Sequence, residues 1–238
     1  MTLLDHTAAT LDENLAVDEA LLLAAEVGES GEVLRFWEWP RYAVVLGAGG
    51  SVAIDVNEAA CRIDGVPIHR RPSGGGTVLL GPGCLVFSLV LNYSRAEQLR
   101  DVTASYRWIL GRVAQALKAV ADAQPVGVSD LAMSGRKVSG NSQQRKARHV
   151  LHHGTLLYAF DATRLERYLN APEREPAYRA GRPHGDFVTN LPADADRLKG
   201  LLAAEFATQA GEVAAAVLNR VPALMAARYS RADWVHRC

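Results

Sequence analysis

At 238 residues the chain is long enough for one large domain or two small ones, with ample core in either case. Hydrophobic residues make up 49% and charged residues 22%, which excludes a disordered or fibrous chain. Lysine plus arginine balance aspartate plus glutamate at 26 each, so no global field draws the protein toward nucleic acid or an anionic membrane, and recognition of anions has to be local.

The N-terminal MTLLDHTAATLDENL lacks a basic n-region and a continuous apolar stretch, so it does not read as a signal peptide. Residues 12–27 read as a helix with Asp12 as N-cap and Val17, Ala20, Leu21 and Ala24 on one face. Two strands follow, 33–39 and 43–49, joined by a turn at Pro40, then a short helix over 55–64 and a strand over 66–71. The nearly continuous apolar run CLVFSLVLNY, 84–93, predicts a central strand covered on both faces. Val102, Tyr106, Ile109, Leu110, Val113, Leu117 and Val120 recur at helical spacing, which makes 101–122 the clearest helix. LAMSGRKVSGNSQ and HVLHHGTLLYAF read as strand, loop and strand, 163–169 as a short helix, and 193–228 as one or two helices broken near Pro222. Strands and helices mix without strict alternation. That favours an α+β fold with a mixed, largely antiparallel sheet flanked by helices. No run approaches the ~18 apolar residues of a membrane span. Cys61, Cys84 and Cys238 are odd in number and widely spaced, which fits neither a disulfide framework nor a zinc site, so a reducing cytoplasm is the expected location.

Three polar stretches could carry chemistry. In RRPSGGGTV, Ser73, Gly74, Gly75 and Gly76 leave the main chain bare enough to turn successive N–H groups toward an anion, and Arg70 and Arg71 add forked donors. The stretch matches neither GxxxxGKS/T nor GxGxxG, so a P-loop or dinucleotide fold has no support. A tight turn with solvated arginines is the alternative reading. In GRKVSGNSQQRK, Lys137 sits between two glycines, where its ammonium can approach a ligand oxygen as a point charge; an ordinary surface lysine beside a hairpin turn is the alternative. Arg145, Lys146 and Arg148 read as a solvated basic face. In HVLHHGT, three histidines without a cysteine or carboxylate do not make a metal site, and on a strand His152 and His153 point to opposite faces.

Taken in order, NLAVDEALL, VVLGAGGSVAIDVN, RRPSGGGTV, GRKVSGNSQQRK and HHGTLL resemble the lipoate–protein ligase family, within the larger group of lipoyl, octanoyl and biotinyl protein ligases and transferases. The likeness covers most of residues 12–160. It implies a core related to the catalytic domains of biotin ligases and class II aminoacyl-tRNA synthetases. Many ligases of that family carry a separate C-terminal accessory domain; in a departure from them, this chain is expected to form a single catalytic domain over 1–238 with no separate C-terminal accessory domain. It implies ATP with a magnesium ion, lipoate as the acid that is adenylated, and transfer of the lipoyl group to a lysine on a small acceptor. Expected acceptors are the lipoyl domains of 2-oxoacid dehydrogenase E2 subunits and the glycine-cleavage H protein, and a separate accessory polypeptide is a possible partner. By the same resemblance Lys137 is the catalytic lysine. Arg71, Ser73, Gly74, Gly75, Gly76, Thr77, Gly140, Asn141, His153, Gly154 and Thr155 border the substrates, the strand from Cys84 to Leu91 walls the acyl chain, and no metal ligand of the protein's own is implied.

The chain departs from the family where relatives carry an aromatic–His–Asp segment followed by Gly-Asn and this sequence has Leu79-Leu80-Gly81-Pro82-Gly83-Cys84. Two rival readings follow. One is an ATP-independent octanoyl or lipoyl transferase that works through a cysteine thioester, with Cys84 as the candidate nucleophile. The other is a non-catalytic lipoyl-binding subunit that kept the fold. A biotin ligase is disfavoured because no GRGRxGRxW-like stretch is present.

Overall fold

The computed structural model describes residues 1–171 and 175–237. The described strands are β1 (Thr2–Asp5), β2 (Val33–Glu38), β3 (Ala43–Leu46), β4 (Ile68–Arg70), β5 (Val78–Leu80), β6 (Cys84–Asn92), β7 (Ala123–Val126), β8 (Asp130–Met133), β9 (Arg136–Arg145), β10 (His149–Leu157) and β11 (Gln209–Ala210). Eight form one sheet in the order β11-β1-β2-β6-β10-β9-β8-β7, and β4-β3-β5 form a second. In the large sheet β1 runs parallel to both neighbours and every other pairing is antiparallel.

β6 is the central strand its composition predicts, and the two-residue period explains why it is apolar throughout. Leu85, Phe87, Leu89 and Leu91 enter one core cluster, while Cys84, Val86 and Val90 enter the clusters on the other face. The first face is covered by α4 (Val102–Leu117), whose Ile109, Leu110, Val113 and Leu117 are buried against it. The second face is covered by α1 (Leu11–Glu26), which is buried on nearly all sides. The intervening helices are α2 (Val52–Asp55) and α3 (Glu58–Asp64). Beyond β10 lie α5 (Leu165–Tyr168), α6 (His184–Phe187), α7 (Ala195–Glu205), α8 (Ala215–Leu218), α9 (Val221–Leu224) and α10 (Ala232–Val235). Among the described residues no helix is long and apolar enough to cross a membrane.

Several boundaries differ from the sequence expectation. The cap of α1 is Thr10, not Asp12: the Thr10 hydroxyl accepts from the Glu13 N–H and the Glu13 carboxylate accepts from the Thr10 N–H, a reciprocal capping box. Asp12 instead meets His69 at 2.6 Å. The strands on either side of Pro40 do not pair as a hairpin. β2 joins β6 in the large sheet and β3 joins β4 and β5 in the small one, so the connection crosses between sheets. The stretch 193–228 is more divided than the one or two helices expected: α7 ends at Glu205 and β11 follows, and the expected break near Pro222 falls between α8 and α9, with Pro222 in the first turn of α9, where a missing N–H costs nothing.

Candidate active site

Lys137 is on a strand, not in a loop. Ser134 and Gly135 both have positive φ, 51° and 72°, and close a two-residue hairpin between β8 and β9. The register then slips: Leu131 faces Ser139 and Ala132 faces Lys137, so Val138 has no partner across the ladder. This bulge reverses the face alternation, which places Lys137 on the same side as Gly140 three residues on. A Cβ on Gly140 would stand 2.9 Å from the lysine Cε and Nζ, so glycine there leaves the side chain its path. The path ends at Asp130, opposite Gly140 in the ladder, whose Oδ1 lies 2.8 Å from Nζ. Asp130 Oδ2 accepts from the Tyr178 hydroxyl at 2.8 Å, and burial beside that carboxylate pushes the Tyr178 phenol well up.

The glycine bend is held from behind by Arg71. Its Nε donates to Ser73 Oγ at 3.0 Å, Nη1 to the Val45 carbonyl at 3.2 Å, and Nη2 to the carbonyls of Gly74 and Gly76 at 2.8 and 2.7 Å. Burial lowers this guanidinium to about 10, and it stays charged at neutral pH. The Ser142 hydroxyl donates to the Gly74 carbonyl at 2.7 Å. Gly75 takes a φ of 83°, the left-handed region that favours glycine. Arg70 points the other way and does not face this cavity: its donors go to main-chain carbonyls of the 47–50 loop and the C-terminal segment.

On β10 the two histidines diverge as the strand period requires. His153 Nε2 lies 2.6 Å from Ser73 Oγ. Ser73 Oγ also accepts from Arg71, and on the other side of the ring His153 Nδ1 lies 3.7 Å from Asp18 Oδ2. Asp18 also accepts from Arg35 (2.6 Å), Trp37 Nε1 (3.3 Å) and Ser88 Oγ (2.8 Å). Burial works to raise the Asp18 carboxyl, but Arg35, His153 and Ser88 outweigh it and the net direction is down. His152 sits on the opposite face against Phe87 and Tyr106. Gln143 Nε2 stands 3.2 Å from its Nδ1, and Asn141 Oδ1 lies 3.3 Å from its Nε2, which fixes the neutral tautomer with the proton on Nε2. Gly154 is required beside them, since a Cβ there would fall 1.8 Å from Asn141 Oδ1.

These elements enclose a cavity of about 150 Å³. Of the residues singled out from sequence, Lys137, Arg71, Gly75, Gly76, Thr77, Gly140, Asn141, His153, Gly154 and Thr155 line it. Ser73 and Gly74 stand one layer behind, braced through Arg71, His153 and Ser142. The apolar wall is broader than the single strand expected: only Val86 of β6 contributes, with Leu15, Trp37, Val45, Val78 and Leu80. Sequence reasoning missed Asp130 and Ser142, which no local pattern marks. A shallower depression of about 550 Å³ lies at the other end of β6, lined among others by Asn92, Arg95 and Arg148. Its charges are already paired, Arg95 with Glu32, and Arg148 and His149 with Glu26, so it is the weaker candidate despite its size.

Cys84, the candidate nucleophile of the rival transferase reading, is packed in the core. It is 1% exposed, does not line the cavity, and its thiol is pushed up to about 12 by burial and by Glu38. A thiol in that state is a packing group rather than a nucleophile. Cys61 is likewise buried, and Cys238 lies outside the described residues.

An acidic chain end could thus meet a cationic amine, bare main chain and an apolar wall in one enclosure, the arrangement of an acyl-handling enzyme. The model of the lipoyl protein ligase A/B catalytic domain matches residues 10–209, and the chain belongs to that family. A probable lipoate-protein ligase A of Mycoplasma pneumoniae is 34% identical over 158 residues, covering 66% of this chain but only 45% of that protein. An octanoyltransferase LipM of Carboxydothermus hydrogenoformans is 30% identical over 194 residues, 74% of this chain and 71% of that one. Among solved structures, protein Ta0514 of T. acidophilum with bound lipoic acid superposes with a TM-score of 0.86 at 20% identity, covering 100% of this chain and 98% of that one. A lipoate-protein ligase A bound with ATP gives 0.85 at 22% identity, covering 99% and 98%. A bi-partite lipoate protein ligase from Thermoplasma acidophilum, studied with its E2 lipoyl domain, gives 0.85 at 22%, covering 99% and 95%. At these identities the structural likeness is one of fold.

Proposed function

We propose that this chain activates lipoate with ATP, taken as its magnesium complex, to lipoyl-adenylate and passes the lipoyl group to a lysine of an acceptor lipoyl domain. The observation that carries this reading is the convergence of Lys137, the Arg71-braced glycine bend and an apolar wall on one cavity, with no reachable thiol among the described residues. A carboxylate is a poor electrophile, and adenylation supplies AMP as the leaving group. The Lys137 ammonium stabilises negative charge on the carbonyl and phosphate oxygens, as a preorganised donor that needs no reorientation during reaction. Asp130 balances that ammonium before substrate arrives and sets its direction. Gly75 and Gly76 admit the anhydride to the main chain, and the wall from Leu15 to Val86 holds the acyl chain away from water, at about 0.8 kcal/mol per buried methylene. Arg71, Ser73, Gly74, Thr77, Gly140, Asn141, His153, Gly154 and Thr155 complete the enclosure in this reading. A single catalytic domain that works with a separate accessory polypeptide, in the manner the bi-partite archaeal ligase is named for, fits the same proposal.

The octanoyltransferase relatives favour a second reading, acyl transfer without ATP. Mass spectrometry of a lipoyl domain separates the two. The protein is incubated with lipoate and ATP in one arm, and with octanoyl-carrier protein without ATP in the other. Mass gain in the first arm only, undiminished by Cys84→Ser and cut by ~10²–10³ in Lys137→Ala, is the expected result. Transfer in the second arm only, abolished by Cys84→Ser, replaces the proposal with the thioester route.

A further inference from the structure

Arg70, the first arginine of the RRPSGGG stretch, is 1% exposed and binds five main-chain carbonyls. Nη1 donates to Gly47, Ala48 and Gly50 at 3.0, 3.3 and 2.7 Å. Nε and Nη2 donate to Val235 at 3.0 and 2.6 Å, and Nη2 also to Arg237 at 3.0 Å. One cation therefore joins the 47–50 loop to the C-terminal segment. That segment answers twice: Trp234 Nε1 donates to the Arg70 carbonyl at 3.1 Å, and Arg237 Nη2 donates to the Ala48 carbonyl at 2.7 Å, with its guanidinium 3.8 Å from the Trp234 ring centre.

The 47–50 loop is also the footing of the glycine bend. The Ala48 N–H donates to the Ser73 carbonyl at 2.8 Å, and the Arg71 N–H to Leu46 at 2.9 Å. Gly47 lies so close beneath the bend that a Cβ would fall 2.0 Å from the Gly75 carbonyl oxygen. Movement of the loop must move the bend, because neither backbone has room to absorb it.

We propose that Trp234, through its bond to the Arg70 carbonyl, and Arg237, through its bond to the Ala48 carbonyl, are positioning residues that set the shape of the glycine bend and so the affinity of the cavity. The proposal rests on the acyl-ligase reading for its kinetic consequence, but its structural consequence is independent of that reading. A displacement of the order of 1 Å at a binding surface costs up to ~10²-fold in reactivity.

The experiment compares the full-length protein with Arg237→Ala, Arg237→Lys and Trp234→Phe/Arg237→Ala. Phenylalanine removes the indole donor and keeps an aromatic ring, and lysine keeps a donor for the Ala48 carbonyl. Hydrogen–deuterium exchange is read on peptides spanning 44–50 and 71–77, and KM and kcat for lipoate and ATP are read in the acceptor assay. The expected result is faster exchange confined to those two peptides and a KM raised ~10-fold or more, with kcat changed less. Both effects are largest in the double variant and reversed by Arg237→Lys. Unchanged exchange in the double variant overturns the proposal, as does faster exchange spread evenly over the chain. Localised faster exchange in a protein that transfers no acyl group in either arm supports the positioning role and sinks the ligase reading instead.

Discussion

His152 and His153 are consecutive on one strand and obey opposite rules. His153 is tied to Ser73 at the cavity, whereas His152 is 0% exposed and pushed down to about 3 by burial and by its neighbour's charge. The unfolded chain takes up that proton near its ordinary 6.5 and the folded chain only near 3, so the unfolded state binds more protons throughout that window. Stability from this group is therefore complete above pH 6.5 and drains as pH falls, by up to about 1.4 kcal/mol per unit. Urea midpoints between pH 7.5 and 5 should fall less steeply in His152→Asn than in the parent. His6 and His184, also shifted down by burial, remain in both proteins and cancel in the comparison. Parallel slopes would refute the assignment. That the two histidines face apart was legible from strand geometry alone. The same alternation should have separated Arg70 from Arg71, which were read together because both bear charge. What no letter revealed is which buried carbonyls and carboxylates each would find.

The elements that carry the site owe their aim to irregularities. The bulge at Val138 turns Lys137 over Gly140, and the 83° φ of Gly75 makes the bend. Substitutions in the bend should separate folding from ligand approach. Alanine at Gly76 meets no protein atom within 4 Å, so the thermal midpoint should hold within the small change typical of surface sites, about 0.5 kcal/mol, while the added methyl in the cavity wall raises KM. Alanine at Gly75 should cost about 1–2 kcal/mol in stability from left-handed backbone alone. Equal destabilisation at both positions would show that the bend is packed differently. The long periodic elements, α4 and β6, are legible in the letters: β6 ends one residue short of the expected 93, while α4 stops at Leu117, five residues before the expected 122. The two-residue β11 and four-residue β1 have too few positions to show a period. The capping box at Thr10 and Glu13 was present as letters and was overlooked in favour of the nearer aspartate. Register slips such as that at Val138 leave no trace in composition, which is why Asp130 escaped notice.

At the scale of the molecule, the two ends of the sequence meet around α1. Val17, Leu21, Leu22 and Ala24 share a cluster with Val217, and Val221 and Leu224 pack onto it. Glu19, 1% exposed, is bound by Tyr229 at 2.8 Å and by Arg228. Val217→Asp, which buries a charge with no partner in this cluster, should cost about 3–5 kcal/mol although it lies in a four-residue helix remote from the cavity. A thermal shift no larger than that of a surface substitution would show that α8 does not hold α1. The same arrangement has a bearing on synthesis. When α1 leaves the ribosome, the residues that will cover its outer face are almost two hundred codons away, and β1 still awaits β11 along one edge. For that interval the nascent chain offers a greasy helix and an unpaired strand to whatever is nearby, so its yield in a cell should depend on chaperone occupancy more than its finished stability would indicate.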